Sequence, residues 1–183
     1  IDENNTDYEN QTIIINNGVV TINGSHTFAN LLVKESGRLT ISYSTITTVK
    51  KMDLNVTGKV SIGPDALITV NSKGYLGAYR NGNTSQYGRT LGNTTAGGSY
   101  YFSGASYGGY GGKYGTNQVN EIYGSIYEPS DPGSGGGSIA SNYYGGNGGG
   151  VLKIEANEIT LDGEIRSNGQ SAAYGRGGGS GGG

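Results

Sequence analysis

The chain contains no cysteine and no tryptophan, one histidine, one methionine and two phenylalanines. Without cysteine there is no disulfide framework and no thiolate metal centre. A single histidine leaves no second imidazole for a zinc or copper site. His26 stands in Ser25-His26-Thr27-Phe28, between two apolar runs, and reads as a loop residue rather than a base or ligand. Charge is sparse too: 12 Lys plus Arg and 14 Asp plus Glu give a net charge of −2 over 183 residues. The bases are scattered singly. That excludes the basic patch a nucleic acid needs and gives little hold on an anionic membrane surface. No apolar run approaches the length of a membrane-spanning helix, roughly 18 residues or more.

What is abundant is glycine, 37 residues, and tyrosine, 15 residues, on an Asn-, Ser- and Thr-rich background. Apolar residues are 33% of the chain, so only narrow apolar stripes can be buried. The glycines concentrate in 97–150 and in the closing run at 175–183. Each adds chain entropy that folding must remove, a poor basis for a catalytic pocket. The composition predicts an extended surface and no enzyme, with no cofactor or metal. Four regions follow: a polar lead-in at 1–11, β-type sequence at 12–96, a Gly/Tyr-rich insertion at 97–150, and a β turn with a glycine-rich end at 151–183.

Between 12 and 77 short β-type runs recur: TIII, VVTI, LLV, RLTI, MDLNV, KVSI and LITV. Alternation sends Val20 and Ile22, Leu39 and Ile41, and Val60 and Ile62 to one side. Gly18-Val-Val-Thr-Ile, Gly37-Arg-Leu-Thr-Ile and Gly58-Lys-Val-Ser-Ile form a repeat, 19 and 21 residues apart. Two short strands per period predict an all-β parallel β-helix, a β-solenoid with Gly/Tyr-rich loops. The alternative is an antiparallel β-sandwich, since Asn17-Gly18 between two apolar runs is also a hairpin signal.

The segments SIGPDALITVNSKGYLG, YGSIYEPSDPGSGGG and GGNGGGVLKIEANEITLDGEIRSNGQSA, over roughly 50–183, resemble large glycine-rich bacterial and archaeal surface proteins. Those are in turn similar to right-handed parallel β-helices of the pectin-lyase-like kind. The resemblance implies an extracellular, cell-surface or matrix protein. It carries over no catalytic residues, because the acidic clusters and arginine of the pectin-cleaving enzymes have no matching positions. The leading expectation is a structural protein that forms or decorates a surface fibre by β contacts between its own copies. A carbohydrate-binding adhesin module is the alternative, and a polysaccharide lyase or hydrolase a lesser one.

The chain starts at Ile1 without methionine, which suggests a removed leader. Gly177–Gly183 repeats the glycine lead-in to Val151, so a further strand is expected after it, from a longer chain or from another molecule. Contact is then expected between Glu158–Ser167 of one copy and residues 1–22 of the next.

Sequons stand at Asn4, Asn10, Asn23, Asn55, Asn83 and Asn93. If the protein is glycosylated, the expected sites are Asn10, Asn23, Asn55, Asn83 and Asn93, each exposed at a turn or on an outward face. Tyr100, Tyr101, Tyr107, Tyr110, Tyr114, Tyr143 and Tyr144 are candidates for an aromatic surface that stacks on sugars. The competing reading is that they cover the glycine loops. Glu155, Glu158, Asp162 and Glu164 read as a solvated sheet face, with Leu152, Ile154, Ala156 and Ile165 inward.

Overall fold

A computed structural model describes residues 1–125, 127–172 and 176–183. Gly175, the first residue of the closing glycine run, and Ile126 in the Gly/Tyr segment lie outside the described residues. Nine strands and no helix occur among the described residues: β1 (Thr12–Asn16), β2 (Val19–Thr21), β3 (Gly24–Phe28), β4 (Asn30–Lys34), β5 (Arg38–Thr40), β6 (Lys51–Ile62), β7 (Leu67–Thr69), β8 (Val151–Leu161) and β9 (Glu164–Arg166). The chain divides into two compact units, one of residues 1–42, 51–69 and 152–166, the other of 43–50, 70–151 and 167–183.

The first unit holds two open sheets. One runs β1-β4-β6-β3, with β8 also paired to β6, and the other runs β2-β5-β7-β9. Alternation builds them. Ile15, Val33 and Ile62 share one register row, as do Leu39 and Ile68 in the second sheet, and all five are buried. Polar side chains bind neighbouring strands as well. Asn30 donates to Thr12 Oγ1 at 3.1 Å and accepts from the Lys59 amide at 3.0 Å, which links β1, β4 and β6.

The β-helix expectation is corrected by this register. The three repeat copies do not stack in one column: Val20 faces Leu39, but Leu39 faces Ile68, while Val60 faces Leu31 in the other sheet. The spacing between paired strands is not constant. Thr12 pairs 18 residues on, Arg38 29 residues on, and Leu67 97 residues on. Residues 43–50 and 70–151 leave for the second unit and break the period. The third copy therefore becomes the second half of the 12-residue strand β6, whose first half pairs with β3. The sheets stay open rather than closing into a solenoid. The antiparallel arrangement is not formed either, since every strand pair with a defined register is parallel.

The second unit is held together by glycine backbone. Its hydrogen bonds step by three residues. Gly133 and Gly136 donate to Gly149 and Gly146, Gly148 and Gly145 to Tyr75 and Ala78, and Gly146 and Gly149 to Gly177 and Ser180. Three residues per turn, with no bonds inside a segment, is the habit of polyproline II chains. Such segments satisfy their amides only by bonding to neighbours, and glycine alone lets the neighbours come close enough. Gly177–Gly183 belongs to this bundle: Gly182 donates to Ser167 at 3.0 Å and Gly183 to Asp131 at 3.2 Å. The run is thus an integral segment of its own unit. The residues expected to form Gly/Tyr loops likewise include the packed centre at 132–138 and 145–150.

Candidate ligand-binding surface

The glycine bundle carries a tyrosine-rich segment at 97–125. Three of the seven candidate tyrosines come together there. Tyr100 lies 5.7 Å from Tyr101, and Tyr101 lies 5.8 Å from Tyr114, centroid to centroid. Two rings not singled out by sequence complete the band. Tyr87 stacks on Tyr100 at 4.8 Å, and Phe102 sits edge-on to Tyr101 at 4.4 Å and to Tyr114 at 4.9 Å. All but the exposed Tyr114 are half-buried, so each ring is braced and still partly open.

The other four candidates fall elsewhere. Tyr107 packs edge-on against Tyr123 at 5.1 Å, and Tyr123 against the buried Tyr75 at 6.4 Å. Burial pushes the Tyr107 and Tyr123 phenols up. Tyr107 thus packs within this second cluster rather than in the band. Tyr143 is exposed with the Arg176 guanidinium 3.5 Å from its ring centroid, and Tyr144 is exposed with Arg80 at 5.4 Å.

Tyr110 is the most open of the seven at 66% exposure. It borders a shallow cleft of about 470 Å³ lined by Tyr110, Gly111, Lys113, Gln118, Val119 and Glu121. The Tyr110 hydroxyl donates to Glu121 Oε2 at 3.4 Å, and Gln118 Nε2 to the Gly98 carbonyl at 3.1 Å. Both flanks hang on one buried side chain, Asn120. Its Nδ2 donates to the Glu121 carbonyl at 2.9 Å, and its Oδ1 accepts from the Ser106 amide at 2.7 Å. Ser106 Oγ in turn accepts from the Gly111 amide at 3.1 Å. Lys113, Gln118 and Glu121 carry no sequence signal, because nothing in Tyr-Gly-Gly-Lys-Tyr or Asn-Gln-Val-Asn-Glu repeats or alternates.

The sequon asparagines divide by burial. Asn10 and Asn55 are exposed, as is Asn4. Asn93 is half-buried, accepting from Arg89 Nε at 2.9 Å and donating to the Thr45 carbonyl at 3.1 Å. Asn23 and Asn83 are buried, against the expectation of exposure. The Asn23 amide group donates to Asp2 and Ser42 and accepts from the Ser42 backbone, and Asn83 donates to the Gly77 and Tyr87 carbonyls.

His26 is not a loop residue. It lies in β3, buried, with Nδ1 2.7 Å from Glu9 Oε1 and Nε2 3.0 Å from the Asn23 carbonyl. A carbonyl only accepts, so Nε2 is the nitrogen that donates to Asn23, and Nδ1 faces the Glu9 carboxyl. The hydrogen bond between His26 and Glu9, and a second from the Thr27 amide, hold the Glu9 carboxyl below the usual carboxylate range. On β8 and β9 the carboxylates are paired with bases: Glu155 with Lys153 at 3.0 Å, Glu158 with Lys59 at 2.8 Å, and Glu164 with Arg166. Leu152, Ile154 and Ala156 are only half-buried, and Ile165 on the edge strand is exposed rather than inward. Among the described residues no three metal-ligating side chains converge, and no helix is long and apolar enough to cross a membrane.

Comparisons with protein families, curated proteins and solved structures find no match.

Proposed function

We propose that this chain is an extracellular surface module that binds polysaccharide, with the glycine-packed unit as a stiff frame for tyrosine-rich contact surfaces. The observation that carries this reading is the braced, half-open band of Tyr87, Tyr100, Tyr101, Phe102 and Tyr114. Tyrosine offers an apolar ring face to sugar C–H groups and a hydroxyl to sugar oxygens, and a ring held by its neighbours loses little freedom on binding. The resemblance of 50–183 to glycine-rich surface proteins and the exposed sequons point the same way. A glycan array is the test. Tyr101→Ala and Tyr114→Ala should each weaken glycans held at the band, and an array with no signal above background refutes the reading.

A separate observation favours a second role, self-association into a surface fibre. β1, β2 and β9 are edge strands with exposed aliphatic side chains at Ile14, Val19 and Ile165. Pairing β9 of one copy with β2 of the next would not close, so it would grow. Light scattering over a concentration series checks this, and a constant monomer mass refutes it.

A further inference from the structure

We propose that the cleft beside Tyr110 is a discrete binding site for a pyranose ring that carries a carboxylate, a hexuronate unit of an acidic polysaccharide. This rests on the polysaccharide-binding reading and adds a site and a ligand class to it. The volume, about 470 Å³, suits a small ligand or one or two residues of a longer one. The cleft is shallow, as a chain that continues past its binding subsite requires.

The lining decides the chemistry. Tyr110 supplies one open ring, held at its hydroxyl by Glu121. Val119 is the only aliphatic side chain in the lining, so an apolar ligand finds little to bury against. The remaining groups are an ammonium, an amide and a carboxylate. Lys113 is the only Lys or Arg between residues 90 and 152. Among the described residues it forms no ion pair, whereas Lys59, Lys153 and Arg166 each have a carboxylate partner. Glu121 is already engaged by Tyr110, which leaves lone pairs for sugar hydroxyls. A uronate meets the ring and both charged groups at once: its ring stacks on Tyr110, its carboxylate meets Lys113, and its hydroxyls donate to Glu121. A neutral sugar leaves the ammonium without a charged partner.

The site is built in advance. Asn120, fully buried, holds the Glu121 carbonyl on one flank and, through Ser106, Gly111 on the other. Little ordering remains to be done on binding.

Two probes of one linkage separate the possibilities: a β-1,4-mannuronate hexamer and the β-1,4-mannose hexamer, titrated calorimetrically into the intact chain. The mannuronate should bind at least about tenfold more tightly, a preference that shrinks as salt rises. Lys113→Gln should remove that preference, weakening mannuronate binding at least about tenfold more than mannose binding. Tyr110→Ala should abolish both. Lys34→Gln, which changes net charge equally on β4, should alter neither. Equal binding of the two hexamers, or a preference that survives Lys113→Gln, overturns the uronate assignment and leaves the polysaccharide reading standing. Binding that Tyr101→Ala removes and Tyr110→Ala spares overturns this site alone. No binding of either hexamer overturns the site, and a blank array in addition overturns the broader reading.

Discussion

Replacing Gly136 by alanine places a methyl carbon 2.7 Å from the Gly178 carbonyl oxygen and closer still to the Gly177 carbonyl. No neighbour there is a side chain that can swing away. The facing backbone would have to retreat by about 1 Å, which takes hydrogen bonds of ordinary length past their limit. Two bonds are at stake: Gly136 to the Gly146 carbonyl and Gly146 to the Gly177 carbonyl, both at 2.9 Å. Gly136 and Gly146 are buried, so water does not replace the lost partners. At about 1–3 kcal/mol for each of the two lost bonds, the loss is roughly 2–6 kcal/mol. That is a large share of the roughly 5–15 kcal/mol that holds a domain folded. Two other glycines calibrate the result. Gly108 has nothing within 4 Å, so Gly108→Ala should be neutral, or stabilising by up to about 1 kcal/mol through the unfolded state. Gly97 is equally open but has φ +72°, so its alanine should cost about 1–2 kcal/mol from backbone strain alone. Urea unfolding followed by near-ultraviolet tyrosine dichroism reports on the second unit, where the ring clusters lie. If Gly136→Ala melts with Gly108→Ala rather than well before Gly97→Ala, the glycine bundle is not what holds this unit together.

Ile62→Asp should destabilise the first unit by more than about 3 kcal/mol in chemical denaturation, because it buries a charge in the row shared with Val33 and Ile15. Acid should loosen the lead-in. Glu9 is held below its ordinary value of 4.5, so the stability it contributes is complete above that pH and is lost as pH falls through the lowered folded value. Glu9→Gln should flatten that acid limb in a pH series of melting temperatures. In a glycosylating host, peptide mapping of folded protein should find glycans at Asn10 and Asn55 and none at Asn23 or Asn83. Equal occupancy at all four would contradict the buried placement of the last two.

Strand positions were legible because alternation is local. TIII, VVTI, LLV and RLTI fall on β1, β2, β4 and β5, and LITV on β7. β3 was missed, since Gly-Ser-His-Thr-Phe hides its buried face behind a histidine paired with a residue 17 positions away. Pairing was legible only where chain length between partners was regular, and residues 43–50 ended that regularity before the third repeat copy. The glycine bundle was illegible for another reason. Its order lies in backbone bonds between distant segments, with no apolar period to announce it. Of the binding surface, composition pointed to Tyr100, Tyr101, Tyr110 and Tyr114. It could not separate them from Tyr107, whose role is decided by Tyr123 and Tyr75.

The pairing of β7 with β9 joins Leu67 to Glu164, 97 residues further on. During synthesis the outer edge of β7 must wait for that partner. At roughly 5–20 residues per second the wait lasts about 5–20 s. Over that time Leu67–Thr69, paired on one side to Arg38–Thr40, presents a parallel edge to anything extended that comes near. Closing so long an excursion also makes the final strand a slow step in refolding. The intervening glycine-rich chain waits as well, because its bundle includes Gly177–Gly183, which follow β9. Its polar composition gives the unfinished sheet little to stick to while it waits.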